Sequence, residues 1–118
     1  MASGLLAASF FDALHPRASD DEVAWFAQRI GNPATLVLEA MCGAARVLVP
    51  LLARGFKVHG ADASPAMIAR CEEKLAAQSL TTTLFRQDVA PLNVPFRYGA
   101  AFIAGSAFDA IGAPAAAA

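Results

Sequence analysis

Residues 35–62, TLVLEAMCGAARVLVPLLARGFKVHGAD, decide the fold. Thr35-Leu36-Val37-Leu38 is apolar on successive positions, the pattern of a strand buried on both faces of a parallel sheet, and it closes on Glu39. The period then changes. Val47, Leu48, Leu51 and Leu52 lie at helical spacing, so residues 45–54 read as a helix that Gly55 terminates. Pro50 fits that helix only in its first turn or with a kink. Residues 57–61 return to strand character and close on Asp62. Strand, helix and strand in so short a span specify two parallel strands joined by a right-handed crossover.

The same alternation extends in both directions. Upstream, Ser19-Asp20-Asp21-Glu22 is a capping box in which Ser19 bonds the N3 amide and Glu22 reaches back to the cap. Val23, Phe26, Ala27 and Ile30 follow at helical spacing, and Gly31 with Pro33 ends the helix near Ile30. Downstream, Ser64-Pro65 supplies an N-cap and a first-turn proline for a helix carrying Met67, Ile68, Cys71 and Leu75. Residues 81–85 are β-branched and aromatic, a third strand. A proline-rich connection, residues 91–95, leads to a fourth strand at residues 100–104 and then an Ala-rich tail. The expected fold is α/β, a doubly wound parallel sheet truncated after about four strands. Residues 1–18 form an N-terminal segment and residues 19–118 one partial domain.

Composition narrows the partners. The formal net charge is −1 and only 16% of the 118 residues are charged, which supplies no basic field for a phosphate backbone or an anionic membrane. Neither nucleic acid nor a membrane is an expected partner. No uncharged apolar run approaches the ~18 residues needed to cross a bilayer. Residues 1–11 are mildly apolar but lack a basic start and run into Asp12, His15 and Arg17, which argues against a signal peptide. Cys42 and Cys71 form neither a C-x-x-C nor a disulfide framework, so the expected setting is a reducing, cytoplasmic one. The apolar share of 57% exceeds that of ordinary domains and asks for more cover than one small chain gives.

In such sheets ligands bind beyond the carboxyl ends of the strands, where strand order reverses. Glu39, Asp62 and Asp88 stand at the ends of the first three expected strands. Residues 40–45 are small except Met41, which lets the backbone come close to a ligand and offers the next helix's amides to a carboxylate or phosphate. Asp62 lies about 20 residues further on, where a carboxylate accepts both hydrogens of a ribose diol. A nucleoside-containing ligand is the expectation.

The run VLEAMCGAARVLVPLLARGFKVHGADASPAMIARCEEKL, beginning at Val37, resembles the first half of class I S-adenosylmethionine-dependent methyltransferases. Their pattern reads VLE-x-G-C-G-x-G-R, a helix, then G-x-D-x-S-x-x-M-[IL]. The resemblance continues through FRQDV, residues 85–89, and covers about residues 20–108. It implies a Rossmann-like sheet of order 3-2-1-4-5-7-6, of which this chain reaches the fourth strand. It implies S-adenosyl-L-methionine as a small-molecule cofactor. Glu39 and Gly43 would serve its methionine end, Asp62 the ribose hydroxyls with Ala63 beside the adenine, and Asp88 the adenine amino group with the Val89 amide adjacent. Ala104 and Gly105 would face the sulfonium and the methionine amine. No metal ligand is implied. No catalytic residue is assigned either, because attack on a sulfonium methyl asks mainly for proximity and orientation.

The sequence departs from that pattern in two glycines, replaced by Met41 and Ala45, while Gly43 remains. The Ala45 methyl is expected to crowd helix against strand, at on the order of 1 kcal/mol. Cys42, Met41 and Met67 read as packing residues and His59 as structural, with His15 a weaker candidate for the site. A nicotinamide dehydrogenase would need G-x-G-x-x-G where this chain has M-C-G-A-A-R. The alternative of a different class is a truncated or degenerate, non-catalytic methyltransferase-like module that binds cofactor weakly or acts through a partner. An apolar fourth strand at a sheet edge invites pairing, so self-association through that edge is a further expectation.

Overall fold

The computed structural model describes residues 17–87 and 94–104. Helix α1 spans Asp20–Ile30, and the Ser19 hydroxyl accepts from the Glu22 amide at 3.2 Å, as a cap should. Asp20, Asp21 and Glu22 occupy its first turn, where the helix dipole favours negative charge. The remaining elements are β1 (Leu36–Ala40), α2 (Leu48–Ala53), β2 (Lys57–Ala61), α3 (Pro65–Ala77), β3 (Leu84–Phe85) and β4 (Ala100–Phe102). The strands are all parallel and lie in the order β3-β2-β1-β4. This is the order implied for the first four strands of the resembling fold.

Four boundaries differ from the sequence expectation. β1 runs on to Ala40, so Glu39 sits inside the strand, opposite both Gly60 of β2 and Phe102 of β4, rather than after its end. α2 starts at Leu48 rather than Ala45, because residues 43–47 form turns and Ala45 takes a φ of +67° that no right-handed helix accommodates. Pro50 is consequently the third helical residue, within the first turn, and no kink is needed. β3 shrinks to two residues. The Thr82 hydroxyl donates to the Val58 carbonyl at 2.6 Å, filling an acceptor that a backbone amide would otherwise take, and Thr83 meets β2 through its carbonyl, which accepts from the Gly60 amide at 3.1 Å. β4 ends at Phe102, two residues early.

The register places Val37, Glu39, Val58, Gly60 and Phe102 on one face of the sheet. Val23 and Phe26 of α1, Leu48 and Leu51 of α2, and Cys71 and Leu75 of α3 build a buried core with the apolar members of that face. Gly60 leaves room that neighbouring side chains fill: a Cβ would stand 2.8 Å from Leu48 Cδ1 and 2.9 Å from Cys42 Sγ, and both would have to shift. On the opposite face His59 Nδ1 lies 2.9 Å from the Tyr98 hydroxyl, and Phe85 and Phe96 complete an aromatic cluster around the imidazole. His59 is thus structural, as its mid-strand position suggested. Among the described residues no helix is long and apolar enough to cross a membrane.

Candidate functional site

The carboxyl ends of β1 and β2 adjoin, and the loops that leave them meet. The Cys42 amide donates to the Ala61 carbonyl at 3.0 Å, prolonging the β1–β2 ladder past the end of β1. The next amide, of Gly43, donates to Asp62 Oδ2 at 2.9 Å, and Asp62 Oδ1 accepts from the Ser64 amide at the same distance. One carboxylate therefore ties the β1–α2 loop to the start of α3. Ala63 follows it, exposed at the mouth of the site.

The β1–α2 loop has an unusual backbone. Met41, Gly43 and Ala45 take φ values of +53°, +58° and +67°, alternating with residues of negative φ. The loop's amides go to different partners, Cys42 to the Ala61 carbonyl, Gly43 to Asp62 Oδ2 and Ala45 to the Cys42 carbonyl. These are the three positions where the resembling pattern has glycine, so the backbone keeps a glycine shape with two L side chains in it. Met41 is 56% exposed, which corrects its reading as a packing residue; its side chain leaves the protein because the left-handed backbone directs it outward. Cys42 does pack, buried against Gly60. Gly43 has space for a Cβ, with Met67 Cε nearest at 3.8 Å, so conformation and not crowding calls for glycine there.

Glu39 is 2% exposed, and its Oε1 is buried without a hydrogen-bond partner. Burial pushes its carboxyl well above the usual carboxylate range; Cys71, Glu22 and Asp62 push the same way, while the Arg46 guanidinium opposes them. A hydrogen bond with the Cys71 thiol, and then burial, drive the Cys42 thiol far up, the setting of a packed cysteine.

Two residues that the sequence did not single out for the site hold the loop. Arg46 Nη1 and Nη2 donate to Glu22 Oε1 and Oε2 at 2.9 and 2.6 Å, a two-pronged pair whose side chains are 17% and 9% exposed. The Glu22 carboxylate expected at its own helix cap is thus engaged by a residue of another loop. The only local hint was the Arg ending M-C-G-A-A-R; its partner lies 24 positions away.

The structure thus brings Glu39, Gly43, Asp62 and Ala63 together. Ala104 is buried just beyond β4. Asp88, Val89, Gly105 and His15 lie outside the described residues. Among the described residues no group of three or more His, Cys, Asp or Glu side chains could hold a metal ion. A groove of about 500 Å³ lined by Leu36, Lys57 and Thr81 opens at the opposite, amino ends of β1 and β2 and shares none of these acids.

A parallel sheet ordered 3-2-1-4, with an acid in the central strand and a second after its neighbour beside a turn of alternating φ, defines a nucleoside-cofactor domain. The methyltransferase domain family matches residues 37–118, and the chain belongs to that family. Magnesium-protoporphyrin O-methyltransferase of Synechocystis sp. is 32% identical over 81 residues, 66% of this chain and 35% of that enzyme. The crystal structure of magnesium protoporphyrin IX methyltransferase from Synechocystis with bound SAM superposes with a TM-score of 0.59 at 29% identity, over 70% of this chain and 40% of its own. The CcbJ methyltransferase of Streptomyces caelestis gives a TM-score of 0.62 at 30% identity, over 74% of this chain and 36% of its own. The chain spans between about a third and two fifths of the length of these relatives.

Proposed function

We propose that residues 19–118 are the cofactor-binding part of a methyltransferase that uses S-adenosyl-L-methionine. Glu39, Gly43, Asp62 and Ala63 hold the cofactor, and Asp88, Val89 and Gly105 complete its site. The observation that carries this is the Asp62 carboxylate seated between the Gly43 and Ser64 amides, next to the buried Glu39. Each Asp62 oxygen accepts one backbone bond and keeps a second lone pair, so the carboxylate can take a vicinal diol without releasing the loop. The unpartnered Glu39 Oε1 suits a cationic donor or a bridging water at the methionine end. When bound, the cofactor supplies a methyl group activated on a sulfonium; this chain's residues bind and orient it. No acid or base of the chain is assigned to the transfer.

Calorimetry with S-adenosylmethionine and S-adenosylhomocysteine tests the proposal. Wild type is expected to bind both, and Asp62→Ala to bind about tenfold more weakly or worse, the loss of ~1.4 kcal/mol or more that a charged hydrogen bond represents. Absence of any binding at millimolar ligand removes the proposal. A second reading, a non-catalytic module that binds the cofactor weakly, is favoured by Met41 and Ala45 at positive φ. Binding that appears only after both are changed to glycine would support it over the first. Self-association through the outer edge of β4, which pairs with β1 alone among the described strands, belongs to the same proposal and is read by sedimentation. Two free, buried cysteines fit a reducing, cytoplasmic setting.

A further inference from the structure

Left-handed backbone at a residue other than glycine persists only where its surroundings over-determine it. In the β1–α2 loop the restraints fall at both ends. The near end is held by β2 and the residue after it, through Cys42 N to Ala61 O and Gly43 N to Asp62. The far end is held locally, by Ala45 N to Cys42 O at 3.1 Å and Val49 N to Ala45 O at 3.2 Å, and from outside through Arg46, which directly follows Ala45 at φ +67°. The Arg46 carbonyl accepts from the Ala18 amide at 2.9 Å, and its guanidinium grips both oxygens of Glu22. Main chain and side chain of Arg46 are therefore both fastened to α1 and its lead-in, an element that contributes no residue to the proposed cofactor contacts.

We infer that Glu22 is a positioning residue: through Arg46 it holds the far end of the loop, at Ala45, in its left-handed shape, supplying by an ion pair a constraint that permits alanine where glycine would need none. The consequence for binding rests on the cofactor proposal above; the consequence for the loop does not. Glutamine at position 22 keeps the length and one acceptor of the side chain while removing its charge, and Lys at position 46 keeps the charge while giving up the two-pronged geometry.

The experiment uses the full chain and two readouts. The first is deuterium labelling of backbone amides resolved by peptide mass spectrometry, comparing the 41–46 loop with the last two turns of α3. The second is S-adenosylhomocysteine affinity by calorimetry. Glu22→Gln is expected to speed labelling of the 41–46 amides by about fivefold or more through local opening, with the end of α3 unchanged. It is expected to weaken S-adenosylhomocysteine about tenfold. Arg46→Lys moves both readouts the same way. Adding Ala45→Gly to Glu22→Gln recovers a good part of both, since glycine reaches the left-handed shape unaided. The inference is overturned if labelling of the loop and of the end of α3 rise together, which marks general loosening, if neither changes, or if Ala45→Gly gives no recovery. A wild type that takes up no S-adenosylhomocysteine sinks the cofactor proposal, and the labelling still decides on Glu22.

Discussion

The loops that follow β1 and β2 solve the same problem, turning a parallel strand into a helix, by opposite means. After β2 the solution is local. Asp62 accepts from Ser64, Ser64 Oγ accepts from Met67 at 3.3 Å, and Pro65 opens α3 with its φ already set. After β1 the local bonds, Ala45 N to Cys42 O and Val49 N to Ala45 O, are joined by ties from outside the loop. Three residues of positive φ precede α2, its cap Val47 offers no side-chain bond, and the loop is kept in place by Ala61, Asp62, Ala18 and Glu22. A loop held by its own sequence tolerates change elsewhere; a loop held from outside is as stable as its remotest tie.

That contrast can be broken at several points. The largest effect is expected for Glu22→Ala, which removes the two-pronged partner of the mostly buried Arg46 guanidinium and should cost about 3 to 5 kcal/mol in chemical denaturation. A loss below ~1 kcal/mol would mean that solvent or another group replaces the tie. Next comes pH. The Glu39 carboxyl sits well above its ordinary value of 4.5, so the folded chain keeps a proton that the unfolded chain has lost. Stability should therefore fall as pH rises from about 4.5 through the raised value, with a slope of up to ~1.4 kcal/mol per pH unit. Glu39→Gln should flatten that slope, and a slope of opposite sign in wild type would contradict the assignment. Ser64→Ala, at the self-contained loop, should cost about 1 kcal/mol, a helix cap and no more. The smallest effect reverses sign: Met41→Gly relieves left-handed backbone at an exposed position and should raise stability by about 0.5 to 1 kcal/mol, read as a small increase in Tm.

The same contrast explains what was legible in the sequence. Ser19 and Ser64-Pro65 announce themselves through neighbours three residues away or fewer, and each serine caps the helix that follows it. The strand order followed from alternating strands and helices together with the family resemblance. Glu39 was displaced by one residue, because a charge normally ends an apolar strand, whereas here two neighbouring strands carry β1 past it. The Glu22–Arg46 pair was invisible: both residues have ordinary local roles, and only the packing of α1 against the loop brings them together. Positive φ at Met41 and Ala45 was equally hidden, since sequence flags that conformation by glycine, and it is kept here by contacts instead. Asp88, Val89 and Gly105 fall outside the described residues.

Phe26 of α1 stacks on Phe102 of β4, ring centroids 4.5 Å apart. On the ribosome the first of these rings emerges long before the second. At about 5 to 20 residues per second, its partner follows several seconds later. During that interval the apolar stripe of α1 has no β4 to rest on, so the nascent chain presents a greasy helix to whatever binds one. Synthesis speed and chaperone supply should therefore influence the yield of folded protein more strongly than its equilibrium stability would suggest.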